Sequence, residues 1–132
     1  MNVSFSTQDI FTSKADGVVL FTYEERSDAE ARFATKLGKN VTLARDRQEF
    51  RGKKAELFLE IQAGTPRFFL LAGLGPKAGV STAIIREAAG AAAVRLRDLG
   101  ASAVAVEVPQ ELDAQAVGQA VTEGVLLAAY RF

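Results

Sequence analysis

Apolar and polar positions alternate along this chain in two rhythms. Val3-Ser4-Phe5 alternates briefly and predicts a short edge strand. Ala15-Asp16-Gly17 reads as a turn, and Gly17 to Phe21 follows as a continuous apolar run rich in β-branched residues. It is too short for a helix, so it predicts a strand buried on both faces. Ser27-Asp28-Ala29-Glu30 has the form of a capping box and opens a short helix through Phe33 and Leu37, closed by Gly38. Val41 to Arg47 adds another helical turn, and Phe50 to Lys54 a turn.

Glu56 to Gln62 alternates, with Leu57, Leu59 and Ile61 on one side and Glu56, Glu60 and Gln62 on the other. That predicts a half-exposed strand near a sheet edge. After the turn at Gly64-Thr65-Pro66, Arg67 to Leu74 reads as an interior strand forming a hairpin with its predecessor. The rhythm then changes. From Ser81 to Leu99, Ile85, Ala88, Ala89, Ala92, Leu96 and Leu99 recur at helical spacing, and Gly100 ends the helix. Ala103 to Val108 is a buried strand stopped by Pro109, and Asp113 caps a last helix through Val117, Val121 and Leu126.

The predicted order is strand, strand, helix, strand, strand, helix, strand, helix. The link from the Arg67 strand to the Ala103 strand demands a right-handed crossover that leaves the two parallel. The expected fold is an α/β sandwich of three layers, with a mixed sheet and helices on both faces. Nothing marks a repeat or a second domain within the 132 residues, a usual length for one domain.

Composition narrows the function classes. Sixteen basic residues balance sixteen acidic ones, so no basic excess points to nucleic acid. Cysteine and histidine are both absent, which removes thiolate metal sites, the commonest metal ligand and the commonest general base. The N-terminus lacks the pattern of a signal peptide and no apolar run approaches a membrane span, so a cytoplasmic protein without membrane contact is expected.

Few residues invite a chemical role. Gly73, Gly75 and Gly79 lie in a loop between strand and helix, where backbone amides can hold phosphate. Their spacing fits neither the dinucleotide fingerprint nor a phosphate-binding loop, and Pro76 removes one donor, so tight-turn glycines are the preferred reading. Glu24-Glu25 and Glu107 with Glu111 are the nearest carboxylate groupings, and surface solvation explains them. Glu123 lies inside the apolar last helix. Ser4, Ser6, Ser13, Ser27, Ser81 and Ser102 lack a histidine partner. Lys53-Lys54 reads as a solvated turn and Phe68-Phe69 as core. No catalytic, cofactor-binding or metal-binding residue is expected in this chain.

Four stretches together resemble the N-terminal domain of the leucyl aminopeptidase, or cytosol aminopeptidase, family. They are Ala15-Asp16-Gly17-Val18-Val19; Phe50-Arg51-Gly52-Lys53; Leu70 to Gly75 with Ile85 to Ala93; and Glu123 to Phe132. The resemblance implies a macro-domain-like fold. It also implies a following catalytic domain that holds two divalent metals, zinc or manganese, and all the catalytic residues. The parent would be a hydrolase, a hexamer that removes N-terminal amino acids from peptides. On that reading residues 1–132 are one non-catalytic N-terminal domain whose partners are its own catalytic domain and further copies. Two alternatives stay open: a macro-type module binding ADP-ribose or another nucleotide, and a nucleic-acid adaptor.

Overall fold

The computed structural model describes residues 1–6 and 9–129. Its strands are β1 (Asn2–Ser6), β2 (Gly17–Thr22), β3 (Leu57–Ile61), β4 (Phe68–Gly73) and β5 (Ala103–Glu107). Its helices are α1 (Asp28–Leu37), α2 (Asn40–Asp46), α3 (Thr82–Asp98) and α4 (Ala114–Ala129), with single 3-10 turns at Ile10–Thr12 and Lys77–Gly79. The strands lie in the order β1-β5-β2-β4-β3. β1, β5, β2 and β4 run parallel, and β3 pairs antiparallel with β4. This is the mixed-sheet sandwich expected. β4 and β5 are parallel but not neighbours, because β2 lies between them.

Each face of the sheet carries its own core. Val19, Phe21, Leu70, Val104 and Val106 pack under Ile85, Ala88, Ala92 and Leu96 of α3 and under Val117 and Val121 of α4. Val18, Leu20, Phe69 and Leu71 pack on the other face against Ile10, Phe33 of α1, Val41 of α2 and Phe50. Every residue of β2 and β4 is buried, as a central strand covered by helices on both sides must be.

β3 departs from its expected alternation. Leu57 and Leu59 pack into the α3/α4 core, but Ile61 is exposed. Phe58, on the other side, meets Phe33 and Phe50 edge-on with ring centroids 6.0 and 5.9 Å away. That aromatic cluster covers a face that Glu56, Glu60 and Gln62 had marked as polar.

The helix ends follow local chemistry. Ser27 and Ser81 accept from the amides of Glu30 and Ile84, as N-caps do. Gly38 and Gly100 take the positive φ of a helix end, +105° and +89°. The Asp113 carboxylate accepts from the Gln115 amide at 3.0 Å at the start of α4.

At the amino ends of the strands, Asp16 is the common fastening. Its carboxylate accepts from the amides of Ser102 (2.9 Å) and Ala103 (2.8 Å), and its carbonyl accepts from those of Arg67 and Phe68 (both 3.0 Å). One residue thereby ties the starts of β2, β4 and β5 together.

Candidate functional site

In an open α/β sheet, ligands bind beyond the carboxyl ends of the strands, where neighbouring connections leave toward opposite faces. Here that place lies between β2 and β5. The chain leaves β2 for α1 on one face and leaves β5 for α4 on the other. A cleft of about 650 Å³ opens there, lined by residues at the ends of β1, β2 and β5 and the starts of α1 and α4. Its size suits a small molecule or a short peptide segment.

Its charged side chains are largely committed to one another. Arg32 of α1 grips Glu107 at the end of β5 with two parallel hydrogen bonds of 2.8 and 2.6 Å. Its Nε donates to Asp28, one helical turn back, at 2.9 Å. The Glu107 hydrogen bonds hold the Arg32 guanidinium well above its ordinary pKa, against the opposing effect of burial. On the rim, the Tyr23 hydroxyl donates to Glu111 at 2.9 Å. Burial, then that hydrogen bond and the Glu111 charge, push the Tyr23 phenol well above its ordinary value. Among the described residues the lining therefore carries four carboxylates, Asp9, Asp28, Glu107 and Glu111, against the single cation Arg32. A phosphate-bearing ligand would enter a negative field and find the guanidinium already paired.

The glycine loop does not contribute to this lining among the described residues. Most of its amides already have partners within the protein. Those of Leu74 and Gly75 donate to the carbonyls of Thr22 and Gly52, and those of Gly79 and Val80 to Pro76 and Lys77. The Lys77 amide donates to the Glu25 carboxylate at 2.9 Å, a bond that holds this acid below its usual pKa. The loop is a set of tight turns with its own carboxylate already attached.

Behind the cleft wall lies a buried ion pair that sequence reasoning missed. Glu30 and Arg45 have side chains only 7% and 6% exposed and are joined at 2.7 and 2.9 Å. Arg45 also donates to the carbonyls of Glu24, at 2.9 Å, and Tyr23, and its guanidinium lies 5.1 Å from the Phe50 ring centroid. Thr22 gives its one hydroxyl proton to Glu30, so Ser27 is the donor in the 2.7 Å Ser27–Thr22 bond. A full capping box would return Glu30 to the Ser27 amide. The carboxylate turns instead to Arg45 and Thr22, because a buried guanidinium needs a charged partner. Arg45 lies fifteen residues away with no local spacing to announce it.

The remaining sequence candidates are dispersed. Glu107 and Glu111 do share the cleft, each held by its own partner. Glu24 and Glu25 lie on the neighbouring β2–α1 loop. Glu123 pairs with Arg86 at 3.2 Å across α3 and α4, both side chains partly exposed. Ser6 lines the cleft, Ser4 is exposed on β1, and Ser13 accepts from the Ala15 amide. Ser102 serves the Asp16 fastening. The Lys53 amide donates to Glu56, and Phe68 and Phe69 fall into opposite cores. Among the described residues no three of His, Cys, Asp and Glu gather as a metal site, and no helix is long and apolar enough to cross a membrane. Tyr130-Arg131-Phe132 lies outside the described residues.

Residues 18–132 match the family model described as "Cytosol aminopeptidase family, N-terminal domain". A probable cytosol aminopeptidase of Aquifex aeolicus (strain VF5) is 28% identical over 134 residues, covering all of this chain and 27% of its own length. Among solved structures, a tomato leucine aminopeptidase mutant superposes with a TM-score of 0.77 at 17% identity over 99% of this chain and 28% of its own. The macrodomain of Mycobacterium tuberculosis DarG superposes with a TM-score of 0.73 at 16% identity, over 95% and 90%. These two likenesses establish a macrodomain-like fold. The chain thus spans about a quarter of the length of the aminopeptidases it resembles.

Proposed function

Because this chain belongs to the cytosol aminopeptidase family, as its N-terminal domain, we propose that it is the non-catalytic accessory unit of a two-metal leucyl aminopeptidase. Its role is in assembly or in access to an active site carried by the following domain, within a cytoplasmic hexamer. The observation that carries this reading is where the family-like stretches fall. Asp16 fastens three strands. Gly52 and Gly73 lie where β4 meets the loop before β3, and Gly124 lies where α3 and α4 meet. They build the frame and leave the cleft aside. The metals do not fit the residues described here, which offer no cluster to hold them. They belong to the rest of the parent chain, and no catalytic step is assigned to this one.

The test is hydrolysis of leucine p-nitroanilide with manganese or zinc. The full-length parent is expected to turn it over and residues 1–132 to be inactive. Activity of the 132-residue chain that survives repurification overturns the proposal.

The position of the cleft favours a second reading, a macro-type nucleotide module. The four carboxylates against one paired arginine argue for the accessory role instead. Calorimetry with ADP-ribose separates the two: a flat titration at high micromolar ligand is expected, and saturable heat would reinstate the nucleotide reading. The balanced net charge gives the nucleic-acid adaptor no support.

A further inference from the structure

α4 has sixteen residues and a single charge, Glu123. Its inner stripe, Val117, Ala120, Val121, Gly124 and Ala128, is buried against α3 and the sheet. Its last described turn, Val125-Leu126-Leu127-Ala128-Ala129, is apolar all round, and one stripe cannot cover it. Leu126 and Leu127 remain 57% and 61% exposed, the most open of the large apolar side chains described. A helix apolar on every side is normally covered on every side. Beside it, Leu127, Ala128 and Gly124 form one wall of a groove of about 410 Å³, facing Ala83, Ala91 and Val94 of α3. Arg86 and Glu87 line the same groove. An apolar floor beside charged groups is the anatomy of a protein interface.

We propose that this α3/α4 face, with Leu126 and Leu127 as its anchors, is the docking surface for the C-terminal remainder of the parent aminopeptidase chain. This rests on the accessory-domain reading above. The matched family unit is described as N-terminal, so in that family the further chain follows this domain. The matched aminopeptidases carry roughly three-quarters of their length beyond what this chain covers. The exposed turn falls in the last part of the matched family unit. A tethered partner meets it at high effective concentration, so a modest apolar patch suffices.

The chain contains no cysteine, so single thiols can report on it. Leu126→Cys, Leu127→Cys and the control Leu43→Cys, an exposed position on the opposite helical layer, are made in residues 1–132 and in the full-length parent. Labelling by a maleimide is followed peptide by peptide, with circular dichroism confirming the fold of each variant. In the parent, positions 126 and 127 should label roughly tenfold or more slowly than in the short chain, while position 43 labels alike in both. Equal labelling at 126 and 127 overturns the proposal. Protection within the short chain that grows with its concentration also overturns it, in favour of a second copy as occupant. Leucine p-nitroanilide hydrolysis by the same parent samples reads the accessory-domain proposal separately. An active parent with unprotected leucines refutes only the docking surface.

Discussion

Gly52 has φ of +69°, and a Cβ there would stand 2.0 Å from the Tyr23 carbonyl oxygen and 2.8 Å from the Arg45 guanidinium. Gly64 also has a positive φ, +99°, but nothing lies within 4 Å of its missing Cβ. The pair separates backbone strain from collision. Gly64→Ala should cost about 1 kcal/mol, the left-handed penalty alone. Gly52→Ala should cost more than about 3 kcal/mol or prevent folding, because the clash is with backbone and with a buried ion pair. Urea unfolding of the two variants measures the difference. Asp16 permits a pH test. Burial raises its carboxyl, but the amides of Ser102 and Ala103 outweigh this and hold it below the ordinary aspartate value. Its contribution is therefore present above the unfolded pKa of about 3.9 and is lost as pH falls through the lower folded value. Asp16→Asn should show a shallower loss of urea midpoint than the unaltered chain between neutral pH and pH values below that unfolded pKa. Equal slopes would remove Asp16 from the account.

Two glycines in α4 look alike in the sequence and differ in the structure. Gly124 crosses α3 so closely that a Cβ would lie 2.3 Å from the Arg86 carbonyl oxygen, whereas Gly118 has open space. Gly118→Ala should raise stability by about 0.5–1 kcal/mol through helix propensity, and Gly124→Ala should lower it by about 2 kcal/mol or more through overpacking. Thermal melts of the two would show shifts of opposite sign. The elements themselves were legible. The apolar run of β2, the helical spacing of α3 and the serine and glycine caps depend on neighbours a few residues apart. What stayed hidden joins distant residues. The placement of β2 between β4 and β5 leaves no local mark in any of the three strands. Phe58 broke an alternating segment without showing that Phe33 and Phe50 would cover it. Arg32 bonds Asp28 four residues back, at helical spacing, but its other partner Glu107 lies 75 residues away. Glu107 and Glu111 stand out in the sequence as one carboxylate grouping that surface solvation explains, and only the fold shows them lining one crevice with Asp9 and Asp28.

At the scale of the molecule, the first and last strands pair with each other at one edge of the sheet. β1 pairs with β5 from Asn2 opposite Ala103 to Ser6 opposite Glu107, and β2 takes its second neighbour from the same strand. A chain stopped at Leu99 lacks that central partner. It should show no cooperative unfolding transition by circular dichroism, while residues 1–132 show one. The arrangement also sets a timetable for synthesis. About a hundred residues separate the two pairing segments. At ribosomal rates of roughly 5–20 residues per second, β1 waits about 5–20 seconds for its partner to be made. Throughout that interval the buried side chains of β2 lack part of their cover, and the newborn chain depends on the order in which its parts arrive.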